Sequence, residues 1–426
     1  NNDGGFGEPG DQDIIKCGTY TGVSATEISV DLGFEPQFIM IKRATGSSLE
    51  VYASWFVQDT MRGMVAKGSD AKDKVLYWNK TQAEGFRGNG GSTDVAIQIH
   101  PNATGFTVPS TNSVEVNQAS ETYIYMAIRR GGMQTPTAAS SVFKATAMSS
   151  SFLADTGFAV DLSIDTVRTS TGSNFVNDRL RGSGVFMKTD AGDAESTGGS
   201  RKFDSNQGVR FVTGDSSGFT GVNWAWKRAR GYFDIAAWTG TGSDMNISHN
   251  LGVVPEMIWA RPRSYADHWS IFHKDATYDL KLDTNAAESS GTVFGTLTSS
   301  VMPVTGGLRA SSHNYVAYLF ATVAGVSKVG SYTGDGNTGK QIDCGFTSGA
   351  SFIMIKRADS TGNWFVWDSA RGIISGNDPY LIFDDTDAEV TSGDNVDPHN
   401  AGFIVNGPGN NVDGATHIFY AIAATS

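Results

Sequence analysis

The stretch Trp55–Gly63, which reads WFVQDTMRG, decides the fold of this chain because close copies of it recur. Asn174–Gly182 reads NFVNDRLRG and Trp364–Gly372 reads WFVWDSARG, while Trp269–His273, WSIFH, is a shorter copy without the Arg-Gly pair. The copies begin 119, 95 and 95 residues apart. Self-similarity at such a period is the signature of tandem units. The sequence therefore predicts four units of about 100 residues, the size of a β-sandwich.

Landmarks on either side of the motif keep the same order in each unit. An apolar run precedes it at Phe38–Ala44 and Phe352–Ala358, and an Ala-Glu pair, interpreted as a capped turn, follows it in all four units. Each unit closes on an aromatic run such as Tyr123–Ile128. A Tyr-Thr-Gly opening stands at Tyr20–Gly22 and Tyr332–Gly334, with Trp238–Gly240 as its counterpart in the third unit. The second unit lacks a clear Tyr-Thr-Gly opening and is the most diverged. The predicted organisation is a flexible N-terminal arm and repeats 1 to 4, at residues 1–16, 17–132, 133–231, 232–327 and 328–426.

Composition and local pattern predict an all-β fold of four tandem β-sandwich repeats. Glycine supplies 51 of the 426 residues, aromatics make up 11% and charged residues only 18%. Such chains favour strands joined by many turns. The apolar runs have strand length, and no stretch of 11 or more residues follows the helical period. Because each repeat can bury its own core, we expect beads on a string rather than a solenoid.

The charge and cysteine content exclude several classes of protein. The formal net charge is −12, whereas nucleic acids and anionic membranes attract clustered Lys and Arg. Two cysteines, Cys17 and Cys344, cannot build a disulfide-dense scaffold or a cysteine-rich zinc site. No run of 18 apolar residues is present, so we expect no membrane insertion. The negative net charge predicts no nucleic-acid partner. The polar, glycine-rich segment Asn1–Gly10 has no signal-peptide pattern and predicts a flexible arm.

The repeated motif itself favours a structural role. Alternation places Trp55, Val57 and Asp59 on one face of a strand, and we expect the Trp to fill the sandwich core. The Arg three positions after the Asp lies within reach of its carboxylate, and the final Gly permits a positive φ. A ligand-binding Asp/Arg pair is the alternative. The predicted structural residues are Trp55, Asp59, Arg62, Gly63, Asp178, Arg181, Gly182, Trp269, Trp364, Asp368, Arg371 and Gly372.

Several short motifs resemble catalytic or cofactor signatures without the context that those signatures need. Gly214–Gly218 fits a nucleophile elbow and Gly334–Gly339 fits a dinucleotide-binding loop, but both lie in predicted turns with no following helix. The cluster Asp384–Asp387 offers oxygen ligands for calcium, although a solvated turn is preferred. Paired carboxylates for glycoside cleavage stay open, with no particular pair standing out. We therefore predict no catalytic residue, no cofactor, no metal site and a protein that is not an enzyme.

Taken together, the Tyr-Thr-Gly opening, the strand ending in Ile-Lys-Arg and the Trp-x-Val-x-Asp-x-x-Arg-Gly motif resemble a module of tailed-phage virion proteins, often of marine phages. The later Ala-Glu landmark, the Gly-Phe pairs at Gly105–Phe106 and Gly402–Phe403, and the closing strand Asn223–Lys227 are similar as well. The resemblance covers residues 17–426 and is strongest in repeats 1 and 4. It implies a concanavalin-like or jelly-roll-like sandwich used as a building and attachment block, and it implies no catalytic residues.

The resemblance also implies a function on the surface of the virion. The first hypothesis is a tail or neck fibre, or a similar appendage, that attaches to host glycans. The implied partners are other virion proteins, further copies of the chain, for instance as a trimer, and host surface polysaccharide. A capsid or tail decoration protein, a depolymerase tailspike and a cellular adhesin or surface-layer protein stay open. Aromatic residues that could stack on sugars, with core packing as the alternative for each, are Tyr52, Trp78, Trp364 and Trp367.

Overall fold

The computed structural model describes residues 14–46, 54–68, 75–81, 83–84, 99–110, 115–131, 134–149, 153–211 and 220–424. These residues form antiparallel sheets with two short 3-10 turns, Ala139–Ser141 and Gly306–Leu308, so the all-β prediction is confirmed. None of the helical turns among them is long and apolar enough to cross a membrane. The chain divides into two compact units, Asn1–Gly132 with Arg179–Ser183, and Met133–Asp178 with Gly184–Ser426.

The first unit is a sandwich of two sheets that share one apolar core. Buried side chains come from both sheets, for example Ile39 and Tyr123 from one and Phe106 from the other. The sheet orders are β1-β8-β3-β4-β5 and β2-β7-β6. The first strand already starts at Ile15, inside the predicted arm of residues 1–16, whose first 13 residues lie outside the described part of the chain. The strands are β1 (Ile15–Thr21), β2 (Ile28–Asp31), β3 (Pro36–Arg43), β4 (Phe56–Asp59), β5 (Leu76–Tyr77), β6 (His100–Asn102), β7 (Gly105–Val108) and β8 (Thr122–Arg129).

The second unit contains the described strands of repeats 2, 3 and 4. Repeat 2 has β9 (Phe143–Ser149), β10 (Leu153–Asp155), β11 (Leu162–Val167), β12 (Phe175–Asp178), β13 (Val185–Lys188), β14 (Ser196–Thr197), β15 (Arg201–Lys202), β16 (Gly208–Phe211) and β17 (Thr220–Trp226). Repeat 3 has β18 (Phe233–Thr239), β19 (Met245–Ser248), β20 (Met257–Pro262), β21 (Ser270–His273), β22 (Val301–Val304) and β23 (Asn314–Phe320). Repeat 4 has β24 (Ser327–Thr333), β25 (Lys340–Asp343), β26 (Ala350–Arg357), β27 (Phe365–Asp368), β28 (Leu381–Ile382), β29 (Val396–His399), β30 (Gly402–Val405) and β31 (Thr416–Ala423).

Each of these repeats pairs a larger sheet with a smaller one. The orders are β14-β13-β12-β11-β17-β9 with β10-β16-β15, β18-β23-β20-β21 with β19-β22, and β24-β31-β26-β27-β28 with β25-β30-β29. In every larger sheet the strand before the motif lies between the motif strand and the closing strand. The repeats therefore share one topology around the strands that carry the motif.

A common register makes the repeats comparable residue by residue. The strand before the motif pairs with the closing strand through Phe38–Ile128, Leu162–Trp226, Met257–Phe320 and Phe352–Ile422. The same four residues pair across the motif strand with Asp59, Asp178, His273 and Asp368. Residues aligned by this register are called equivalent below.

Both faces of the larger sheet are buried in repeats 2, 3 and 4. Alternate side chains of a strand point to opposite sides, so the larger sheet has two faces. One face packs against the smaller sheet of the same repeat. The other, which we call the outer face, carries the equivalent residues Trp224, Tyr318 and Tyr420, all fully buried. Other repeats cover it: the ring of Phe320 in repeat 3 lies 5.1 Å from that of Tyr420 in repeat 4. The expectation of beads on a string is therefore wrong for this unit.

Candidate functional site: the junction of repeats 2, 3 and 4

The first residue of the motif connects each repeat of this unit to another one. Its side chain donates a hydrogen bond of 2.8 to 3.0 Å to a main-chain carbonyl. Repeat 3 thus binds repeat 2, repeat 4 binds repeat 3, and repeat 2 binds repeat 4. The three contacts close a ring, which we call the junction. The donor–acceptor pairs are Trp269–Lys188, Trp364–Lys281 and Asn174–Ile382.

This arrangement corrects the predicted role of the Trp. We expected it to fill the core of its own sandwich, but Trp269 is absent from that core, whereas the side chain of Phe272 packs against it. Repeat 1 shows the same division, since Phe56 belongs to its core and Trp55 does not. Alternation groups residues by face, but it does not say which face points inward. The Trp face is the outer one.

The Glu of the Ala-Glu landmark closes the same ring a second time. Its main-chain N–H donates to a carbonyl of another repeat in the pairs Glu195–Arg263, Glu288–Ala358 and Glu389–Arg168, at 2.9 to 3.0 Å. Two of these contacts add a two-pronged ion pair, Arg263 with Glu195 and Arg168 with Glu389. Such forked, charge-assisted bonds add geometric specificity. The landmark is thus a connection between repeats, which a search within one repeat could not find.

Aromatic rings fill the middle of the junction. Phe383 of repeat 4 lies 5.3 Å from Trp224 of repeat 2 and 6.2 Å from Trp259 of repeat 3, measured between ring centroids. Both contacts are edge-to-face, and all three side chains are fully buried. Each such pair contributes about 0.5–1.5 kcal/mol beyond the area it buries. The centre of the junction is therefore a packed core and not a binding cleft.

The Asp/Arg ion pair suggested by the motif is present in repeats 1 and 4. Nε of Arg371 donates to Oδ2 of Asp368 at 2.6 Å, and Nε of Arg62 donates to Oδ2 of Asp59 at 2.7 Å. The repeat 4 pair is fully buried, whereas the Arg62 and Asp59 side chains are 28% and 21% exposed. The three motif glycines have φ between +93° and +114°, at Gly63, Gly182 and Gly372, and Arg181, which precedes Gly182, is fully buried.

The motif Asp also binds across the junction. Oδ2 of Asp368 accepts the indole N–H of Trp224 of repeat 2 at 2.9 Å. Oδ2 of the equivalent Asp178 accepts the hydroxyl of Tyr318 of repeat 3 at 2.7 Å. In repeat 4 the carboxylate of the motif Asp thus stabilises the turn, pairs with the Arg and contacts another repeat. These three contacts explain the recurrence of the motif without a ligand.

The four candidate sugar-stacking aromatics have different environments. Trp364 and Trp367 are buried, so the prediction that they stack on a ligand is wrong. Trp364 lies in the junction, and Trp367 packs against Phe365 and Tyr380 of its own repeat. Trp78 is 57% exposed. Tyr52 lies outside the described residues. Exposure could not be read from the sequence, because Trp78 and Trp364 both lie in aromatic, strand-like segments.

The motifs that resemble catalytic or metal sites show no such site where they are described. Gly334–Gly339 connects strands β24 and β25, and the main-chain N–H of Gly334 donates to the carbonyl of Ala415. Oδ1 of Asp384 accepts the main-chain N–H of Trp364 at 2.7 Å, and burial raises the pKa of Asp384 to about 6. Over the described ranges, no group of three His, Cys, Asp or Glu residues could hold a metal ion. Gly214–Gly218 lies outside them.

His273 stands where repeats 1, 2 and 4 have the motif Asp, and its burial predicts that stability depends on pH. Burial lowers the pKa of His273 to about 4, below the unfolded value of about 6.5. The unfolded chain therefore binds a proton first on acidification, and His273 costs about 2 kcal/mol of stability between pH 7 and pH 5. His273→Gln should remove that loss, as measured by urea unfolding at both pH values.

The comparison must be made between variants, because other groups respond in the opposite sense. Burial raises the pKa of Asp378 and of Asp384 to about 6, so these carboxyls favour the folded state as the pH falls towards 4. His417, with a pKa that burial lowers to about 4, provides a matched variant, His417→Gln, with the same expected change. A pH dependence in His273→Gln equal to that of the unaltered protein would contradict the prediction.

The fold and the junction define an all-β protein in which similar sandwiches are joined by repeated side-chain contacts. The chain belongs to the family described as a domain of unknown function, DUF7483, whose model matches residues 12–130 and 139–425. The match includes the motif in all four repeats. No curated protein matches the chain.

Proposed function

We propose that this protein is a non-enzymatic structural protein of a phage virion, part of a tail or neck fibre or a similar appendage. The observation that supports a structural role is the junction. There the motif Trp and Asp side chains and the Arg–Glu pairs of Arg168 and Arg263 bind neighbouring repeats instead of converging on an open cleft. The resemblance of the repeats to a virion module supports the assignment to a phage particle.

The location of the protein in intact particles tests this proposal. Purified particles would be labelled with an antibody against the chain, imaged by cryo-electron microscopy and analysed for copy number. A few copies that project from the tail or neck are expected. Many copies laid over the capsid or tail tube would instead indicate a decoration protein, and absence from purified particles would refute a virion role.

Attachment to a host glycan is the second part of the proposal, and a polar groove supports it. A cavity of about 550 Å³ opens beside the edge strands β24 and β25, with Lys274 and Asp275 of repeat 3 among its lining residues. The lining also includes Tyr332, Gln341 and Asp343. Amide, carboxylate and phenol groups of this kind can hydrogen-bond to sugar hydroxyls.

Binding to host cells tests the groove. The double variant Gln341→Ala and Asp343→Ala, presented multivalently, should bind host cells about tenfold more weakly, which corresponds to about 1.4 kcal/mol. Both side chains are exposed, so the fold should persist, and circular dichroism checks this. Unchanged binding would exclude the groove. Release of reducing ends from host polysaccharide would indicate a depolymerase instead.

A further inference from the structure

Repeat 1 has the same outer sheet face as the junction repeats, but in repeat 1 this face is partly exposed. The apolar residues of that face on β3 and β8 are Phe38, Met40, Ile124, Met126 and Ile128, and each is partly exposed. The equivalent residues of repeat 4 are each 1% exposed or less: Phe352, Met354, Ile418, Tyr420 and Ile422. The face that holds repeats 2, 3 and 4 together is thus apolar and accessible in repeat 1.

Trp78 is the most informative residue of this face. Its main-chain N–H donates to the carbonyl of Trp55, just as that of Phe383 donates to the carbonyl of Trp364. Trp78 and Phe383 are therefore equivalent. Phe383 is the residue on which rings of three repeats converge, whereas Trp78 is 57% exposed and lies against Phe38 at 5.8 Å between ring centroids. An indole at this position fits a junction of three repeats.

Repeat 1 also carries both sides of the hydrogen bonds that close the junction. Trp55 is equivalent to the indole donors Trp269 and Trp364, and Tyr77 is equivalent to residues that supply the acceptor carbonyls, Lys188 and Ile382. Repeat 1 also has counterparts of the main-chain hydrogen bond from Glu288 of repeat 3 to Ala358 of repeat 4, a contact that has no ion pair. Glu84 is equivalent to Glu288, and Ala44 is equivalent to Ala358. A surface with both donor and acceptor sides makes head-to-tail contacts, which form a ring if the rotation closes. In repeats 2, 3 and 4 these contacts form a closed ring of three repeats.

We propose that repeat 1 forms this same three-membered junction with repeat 1 of two further copies of the chain, so that the protein is a homotrimer. Trp78 of each copy would lie in the middle, and the outer faces of β3 and β8 would be buried. One polar contact of the junction has no counterpart in repeat 1. Met126 is equivalent to Trp224, whose indole N–H donates to Asp368, and a Met side chain cannot donate this hydrogen bond. This proposal rests on the repeated geometry and does not depend on a virion function.

The mass of the full chain in solution tests the proposal. Light scattering coupled to size exclusion should give about 136 kDa at micromolar concentration, three times the chain mass of 45.3 kDa. Trp78→Asp should give the monomer mass with unchanged circular dichroism, because Trp78 is largely exposed within its own repeat. The matched control is Val254→Asp, an apolar residue of repeat 3 that is 50% exposed and lies outside the outer face; it should stay trimeric.

Three outcomes would overturn the proposal. The first is a monomer at all concentrations up to about 100 μM, and the second is a dimer or another closed number. The third is a trimer that survives both Trp78→Asp and a second outer-face variant, Met126→Asp, since copies would then associate through another surface. If Trp78→Asp alters the circular dichroism spectrum, Met126→Asp alone decides.

Discussion

Asp368→Ala should lower the free energy of unfolding by about 3–5 kcal/mol, whereas Asp59→Ala should lower it by about 1 kcal/mol or less. Both aspartates hold the same place in the motif and pair with the Arg three residues later. The difference is burial: removal of Asp368 leaves the fully buried Arg371 with only its longer ion pair to Glu389, at 3.5 Å, and the Trp224 indole without its acceptor. The Arg62 guanidinium, by contrast, is partly exposed to water.

Urea denaturation followed by tryptophan fluorescence and by circular dichroism measures both variants. Equal losses would show that the junction does not bury this ion pair as described. If Asp368→Ala does not fold, Trp224→Phe is the milder substitute. It removes one hydrogen bond to Asp368 but keeps a ring at the junction, and it should cost about 1–3 kcal/mol.

Phe383→Ala should cost about 3–5 kcal/mol, because a buried aromatic side chain is replaced by a methyl group and leaves a cavity. The cavity would lie where Phe383 meets Trp224 and Trp259, so one substitution weakens the contacts among three repeats. Calorimetry should show this as a lower transition temperature for the unit that contains repeats 2, 3 and 4. The unit should also become more sensitive to proteases between repeats.

The equivalent substitution Trp78→Ala is the matched control. It should change the stability of the monomer by no more than about 0.5 kcal/mol, as surface substitutions generally do. Urea unfolding of both variants is therefore compared at a concentration at which light scattering gives the monomer mass. An effect of Phe383→Ala as small as that of Trp78→Ala would mean that the three repeats are independent after all. The pair therefore measures how much of the stability of each repeat comes from the junction.

The sequence predicted the class of fold and the position of the motif, because both depend on local signals. Strand-length apolar runs and glycine-rich turns indicated sheets, and the spacing of Asp368 and Arg371 indicated an ion pair. The junction was not predicted, since its partners lie about 70 to 220 residues apart in the chain, as Glu195–Arg263 and Arg168–Glu389 do. Local periodicity carries no information on such partners.

The wrong predictions have the same origin. The alternation that groups Trp55 with Asp59 is symmetric with respect to the two faces of the sheet, so the Trp was assigned to the wrong side. The sugar-stacking role of Trp364 and Trp367 failed because an aromatic residue in a strand looks the same whether solvent, its own repeat or another repeat covers it. The clearest available signal was that the strands before the motif and at the close are apolar at nearly every position, which is typical of sheets buried on both faces.

The covalent connection of repeats 2, 3 and 4 affects the order in which the protein assembles. Sandwiches on one chain meet at an effective concentration in the millimolar range, set by the short segments between them. Their ring therefore forms by a first-order process whose rate is independent of how much protein the cell has made. The association through repeat 1 that we propose would instead depend on protein concentration, so at low concentration a newly made chain would complete its internal ring first.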